Sequence, residues 1–184
     1  MYDRIKHIWI CRHPPTQSNG ICVGQSPVPI SISWDDAVDR VLQSVPVVPS
    51  EIWTSDLPRC ATLARLCAHV WRLPVHVDPQ LREISMGDWQ GKQYDTLQAS
   101  DQERWEAWCT DWRNAIPPNG ENLAMLRRRV ESWWAKSTFS SEPVLIAHAG
   151  VVRTLRVMGG MSWEEAMSMN VPHLTWEKIG VSHG

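Results

Sequence analysis

Ile8-Trp9-Ile10-Cys11-Arg12-His13 is a short apolar run that ends in a fixed cation beside an imidazole. It reads as a buried strand, and Val144-Leu145-Ile146-Ala147, running into His148-Ala149-Gly150, reads as a second. Apolar, β-branched runs recur five times, at residues 6–11, 51–54, 74–77, 143–147 and 175–179. Helical patterns fill the intervals. One follows Ser33. Another covers Pro58–Trp71, with Leu57, Cys60, Ala61, Ala64, Cys67, Ala68 and Trp71 on one face and Pro58 suited to a first turn. A longer one is expected from 120 to 136, with Leu123, Leu126, Val130, Trp133 and Trp134 inward. Ser100-Asp101-Gln102-Glu103 and Ser162-Trp163-Glu164-Glu165 are both capping-box patterns, the first expected to start a helix carrying Trp105, Trp108 and Trp112.

Strands that alternate with helices predict an α/β fold, a three-layer αβα arrangement with a mostly parallel central sheet and helices on both faces. The length of 184 residues predicts one domain over 1–184 with a substantial core. Residues 19–29, rich in glycine and proline, read as a loop over the exit of the first strand. Residues 84–119 read as an excursion between the third and fourth strands, positioned over the mouth of the sheet where ligands of this fold class bind.

Composition removes several classes of function. Eighteen basic and twenty acidic residues give a net charge of −2, which favours neither nucleic acid nor an anionic membrane. The basic triplet Arg127-Arg128-Arg129 falls on a predicted helix and reads as a solvated face. No apolar stretch approaches the ~20 residues of a membrane span. The start, Met1 to Lys6, is polar and does not resemble a signal peptide. The five cysteines, at 11, 22, 60, 67 and 109, form no C-x-x-C pair and read as reduced, mostly buried thiols of a cytoplasmic protein. Twelve tryptophans stand beside two tyrosines and one phenylalanine, and their helical spacing reads as core.

Two histidines, two arginines and a glutamate at strand exits suit phosphoryl transfer. That chemistry needs an in-line nucleophile and positive charge around the equatorial oxygens. His13 is a candidate nucleophile and Arg12 its neighbouring clamp. Arg59 comes from the first turn of the next helix, where backbone N–H groups also favour an anion. His148 leaves the second strand end as a donor to a phosphoryl oxygen. Glu83 is a candidate general acid and base, with capping or a pair with Arg82 as the structural alternative. His7, His69, His76, His173 and His183 read as surface or satisfied histidines, His173 standing where the chain returns toward the site.

These residues resemble the histidine phosphatase superfamily, which includes the phosphoglycerate mutase-like enzymes. Its opening R-H-G-x-T-x-x-N is similar to Arg12-His13-Pro14-Pro15-Thr16-Gln17-Ser18-Asn19. Its S-x-L-x-R-A block resembles Ser55-Asp56-Leu57-Pro58-Arg59-Cys60, and its L-x-E-x-x-x-G-x-W-E-G block resembles residues 81–91. Pro118-Asn119-Gly120-Glu121 is similar to its P-x-G-E stretch, and His148-Ala149-Gly150-Val151-Val152-Arg153 to its closing H-G-G-x-x-R. The blocks occur in the family's order. The resemblance implies a phosphoglycerate mutase-like fold and phosphorylation of His13. It implies a phosphate pocket of Arg12, Arg59, His148, Asn19 and Thr16, and Glu83 as acid and base. Small-molecule phosphomonoesters are the implied partners, with no metal or organic cofactor.

Pro14 departs from the family glycine, which removes an N–H beside the nucleophile. Ala149, Gln90 and Thr62 are further departures, and none removes an essential charge. Residues 20–30 resemble the G-x-C-Y-G-x-x-D-x-P-L stretch of the α-ribazole phosphatase group, with Val23 and Pro27 differing. The expectation is hydrolysis of α-ribazole 5′-phosphate in cobalamin nucleotide-loop assembly. A broad-specificity phosphatase, a mutase-type phosphotransferase and a non-catalytic regulatory module stand as alternatives.

Overall fold

Every residue of Pro143–Ala147 is buried, because successive side chains of a strand point to opposite faces and both faces of this sheet are covered. The structure, a computed structural model, describes residues 6–139 and 141–181; the polar start at 1–5 and His183 lie outside them. Five strands, β1 (Lys6–Arg12), β2 (Glu51–Thr54), β3 (Val75–Val77), β4 (Pro143–Ala147) and β5 (Trp176–Val181), form one sheet in the order β3-β2-β4-β1-β5. All pairings are parallel except that of β5 with β1.

Val144, Ile146, Cys11 and Ile52 face one layer, built by α1 (Trp34–Ser44) and α2 (Pro58–Trp71). Leu145, Ala147, Ile8 and Ile10 face the other, built by α5 (Leu123–Lys136) and α6 (Ala149–Met158). Trp133 and Trp134 are buried there as their spacing predicts. The three-layer αβα expectation therefore holds. From β1 the chain crosses over β4 to reach β2, and from β4 it crosses over β1 to reach β5. The two connections leave neighbouring strands in opposite directions. Such a switch point opens a crevice at the carboxyl ends of the strands.

Three local expectations change. The longer helix begins at Leu123 instead of 120, because the Asn122 side chain caps it by accepting from the Met125 N–H at 2.9 Å. Within 84–119 lie two short helices, α3 (Tyr94–Ser100) and α4 (Gln102–Thr110). Ser100 closes α3 and donates to the Thr96 carbonyl, so it caps nothing. Asp101 takes the cap position, but its carboxylate accepts from Trp89 Nε1 and Arg104 Nε instead of the helix. Trp112 therefore lies in a turn beyond α4, and no residue of α4 is buried. The second capping box, at α7 (Trp163–Ser168), has both arms: Ser162 accepts from the Glu165 N–H and Glu165 from the Ser162 N–H. Among the described residues no helix is long and apolar enough to cross a membrane.

Leu145 sits in the central strand with no exposed surface. Leu145→Ala is expected to lower the unfolding free energy by about 2–5 kcal/mol, read from the midpoint of chemical denaturation.

Candidate active site

The register of β1 with β4 sets Arg12 opposite Ala147, and the His13 N–H extends the ladder by donating to the Ala147 carbonyl at 2.9 Å. His13 and His148 thus leave adjacent strand ends, with ring centroids 5.2 Å apart. His13 Nδ1 lies 2.7 Å from the carbonyl oxygen of Pro14. A carbonyl only accepts, so Nδ1 carries the proton and Nε2 keeps its lone pair. The proline that removes an N–H here still supplies the acceptor that fixes the tautomer. Burial, reinforced by the nearby Arg59 charge, holds the His13 pKa well below its ordinary value, which leaves the ring neutral near pH 7. On its other side His173 packs edge-on at 5.3 Å and its Nδ1 meets the His13 carbonyl at 2.7 Å.

Arg12 and Arg59 are anchored by their ends. Arg12 Nη1 donates to the Val171 carbonyl at 2.7 Å. Arg59 donates to the carbonyls of Gly24 at 2.7 Å and Ser26 at 3.1 Å, which ties the 19–29 loop over the site. The Nε atoms of Arg12 and Arg59 are buried without a partner among the described residues, and both side chains line one cavity of about 310 Å³. Guanidiniums on the wall of one cavity suit an anion, which they meet through their remaining N–H groups.

Glu83 reaches the same cavity along a different route. Its carboxylate accepts from the Ile84 N–H at 2.9 Å and from the Gly150 N–H at 3.1 Å, in the first turn of α6. A Cβ at Gly150 would stand 2.1 Å from Glu83 Oε1, so only glycine allows this approach. The backbone that carries Glu83 is clamped by Arg129, which donates to the carbonyls of Gln80, Arg82 and Glu83 at 2.8, 2.6 and 2.9 Å. Arg129 also forms a bidentate pair with Glu121, whose carboxylate accepts from the Ser85 N–H. Arg82 pairs with Asp56 instead, which disposes of the Arg82–Glu83 alternative.

Arg12, His13, Thr16, Arg59 and Glu83 line the cavity together. His148 does not line the cavity; it is fully buried beside His13, with Nε2 3.0 Å from Ser55 Oγ and 3.4 Å from Cys60 Sγ. The structure does not bring Asn19 to the cavity. That side chain is exposed, and Ser18 lines the cavity in its stead, paired with Thr16 Oγ1 at 3.2 Å.

Two readings of the sequence need correction. Arg127 pairs with Glu131 as a surface residue should, but Arg129 of the same triplet turns inward. The signal was present: Arg129 stands three residues after Leu126 and four before Trp133, on the apolar face of α5. Trp108 and Trp112, read as core, are half-buried and line the cavity. Among the described residues no group of three or more His, Cys, Asp or Glu side chains is arranged to hold a metal ion.

Residues 8–184 match the model of the Histidine phosphatase superfamily (branch 1). The chain is 32% identical to the adenosylcobalamin/alpha-ribazole phosphatase of Salmonella typhimurium, over 96% of this chain and 91% of that protein. It is 31% identical to the Escherichia coli protein of the same name, over 95% and 90%. The crystal structure of the alpha-ribazole phosphatase from Shigella flexneri superposes with a TM-score of 0.84 at 27% identity, covering 97% of this chain and 95% of that one.

Burial lowers the pKa of both His13 and His148 well below 6.5. The unfolded chain, whose histidines keep the ordinary value, then binds more protons than the folded one just below that pH. Stability from these groups is complete above 6.5 and is lost as the pH falls through it. The melting temperature is expected to drop between about pH 7 and about pH 5, and the drop to shrink in His148→Gln, as scanning calorimetry across that range would read.

Proposed function

The chain belongs to the histidine phosphatase superfamily and is a phosphatase, and we propose that it hydrolyses α-ribazole 5′-phosphate through a phosphohistidine formed on His13. The observation that carries the nucleophile assignment is the Nδ1–H to Pro14 carbonyl bond, which turns a free Nε2 lone pair to the task. A neutral, buried imidazole needs no deprotonation before it attacks.

In the first step His13 Nε2 bonds to phosphorus in line with the ester oxygen, whose P–O bond breaks. Arg12 and Arg59 stabilise the charge that spreads over the equatorial oxygens. The leaving alkoxide takes its proton from Glu83. Water then attacks the phosphohistidine, Glu83 takes its proton, the N–P bond breaks, and inorganic phosphate departs. His148, oriented by Ser55 and packed against the His13 ring, is assigned as the second donor to the phosphoryl group. Thr16, through Ser18, braces the loop that follows His13. The substrate assignment is supported by relatives at about 30% identity over nearly the whole chain and by the similarity of residues 20–30 to that group. The buried, unpaired thiols of Cys11, Cys22, Cys60 and Cys67 support a cytoplasmic setting.

His13→Ala should reduce kcat/KM by about 10³-fold or more, and rapid acid-free quench of the unaltered enzyme should trap acid-labile phosphate on His13. Retained activity in the variant would remove His13 as nucleophile. Initial rates across α-ribazole 5′-phosphate, 3-phosphoglycerate and sugar phosphates test the substrate, and a flat profile would replace it with broad specificity. Gly150→Ala displaces the Glu83 carboxylate. It should cost about 10²-fold in kcat on an alkyl phosphate and far less on p-nitrophenyl phosphate, whose leaving group needs no proton.

A further inference from the structure

Away from the phosphate end, the cavity changes its chemistry. Its outer wall is made by Tyr94 at the start of α3, Trp108 on α4, Trp112 in the turn beyond, and Trp163 at the start of α7, with Met86 and Met167 between. Trp108 and Trp112 have neighbours that hold them. Trp105 stacks on Trp108 at 5.5 Å and 25°, and Trp89 meets Trp108 edge-on at 6.1 Å. The Arg113 guanidinium sits 5.3 Å from the centre of the Trp112 ring. Arg113 also pairs with Glu164, the residue after Trp163.

Trp108, Trp112 and Trp163 pack against the core on one side and line the cavity on the other. A pocket meant for a flexible aliphatic group needs only apolar volume, whereas fixed π-faces reward a flat partner. Between the two ends stands Arg153, one turn along α6 from Gly150. It is half-buried, it has no hydrogen-bond partner among the described residues, and its Nε is buried. A guanidinium so placed offers donors to the hydroxyls of a sugar.

We propose that Trp112 and Trp163 form a stacking subsite for a planar heteroaromatic base, carried on the sugar whose phosphate is cleaved and gripped by Arg153. They are specificity-determining residues. The inference rests on the phosphatase reading of the His13 site, but not on α-ribazole being the base-bearing substrate.

The test is kcat/KM by phosphate release for α-ribazole 5′-phosphate, AMP, ribose 5-phosphate and geranyl phosphate. The better base-bearing ester should exceed ribose 5-phosphate by about tenfold to a hundredfold. In Trp112→Leu and Trp163→Leu that ratio should fall toward one, and Trp163→Phe should keep most of it. Arg153→Met should raise KM for ribose 5-phosphate several-fold. A ratio near one in the unaltered enzyme overturns the proposal, as does a ratio unmoved by both leucine variants. Geranyl phosphate equal to the nucleotides overturns it too, and an unchanged KM removes Arg153 from the subsite. Should the tryptophan variants not fold, inhibition of the unaltered enzyme decides. Adenosine should compete with ribose 5-phosphate and free ribose should not; equal effects overturn the subsite. Preference for AMP over α-ribazole 5′-phosphate, with the tryptophan dependence intact, would support the subsite while sinking the α-ribazole reading.

Discussion

Parallel pairing of β1 with β4, in the register that sets Arg12 opposite Ala147, is the constraint on which the site depends. It brings two strand exits together where crossovers leave in opposite directions, and each exit carries a histidine. Two imidazoles and two guanidiniums crowded there would repel if all were charged. Burial resolves the conflict by keeping the histidines neutral, which reserves the positive charge for the arginines. A one-residue slip of β1 would turn His13 to the opposite face.

Glu83 comes from no strand of that pair and has to be carried in. The chain between β3 and the excursion has little regular structure, and Arg129 supplies what a ladder would have supplied, by bonding the carbonyls of Gln80, Arg82 and Glu83 at once. Glu121 balances its charge and fastens Ser85. Removing one member of such a largely buried pair leaves the other unpaired, so the two form a single device. The last constraint is steric. Gly150 leaves room for the carboxylate to lie against the start of α6.

Much of this was legible in the sequence, for physical reasons. The strands were read because continuous apolar runs are what a doubly covered sheet requires, and α2 because its apolar residues recur on one face. His13, Arg12, Arg59 and Glu83 were legible because their blocks stand at strand and helix ends. What failed was where a polar residue had more than one partner to choose. Ser100 and Asp101 looked like a cap, but Trp89 and Arg104 compete for the Asp101 carboxylate. Arg127-Arg128-Arg129 looked uniformly solvated, though only packing of α5 decides which arginine turns inward. Tryptophan spacing cannot separate a buried face from a cavity wall, since both are apolar.

By itself the sequence determined the layers, the strand ends and the identity of the groups at them, because periodicity and local stereochemistry act over a few residues. Only the tertiary structure decided the rest. The tautomer of His13 depends on the Pro14 carbonyl lying 2.7 Å from Nδ1. The seating of Glu83 depends on Arg129, 46 residues away, and on the absence of a Cβ at Gly150, 67 residues away. Ser18 instead of Asn19 faces the cavity because the turn after β1 points it there. The contacts of Glu83 join residues far apart in the chain and are set by packing, while those of Pro14 and Ser18 are local but depend on how the chain turns after β1.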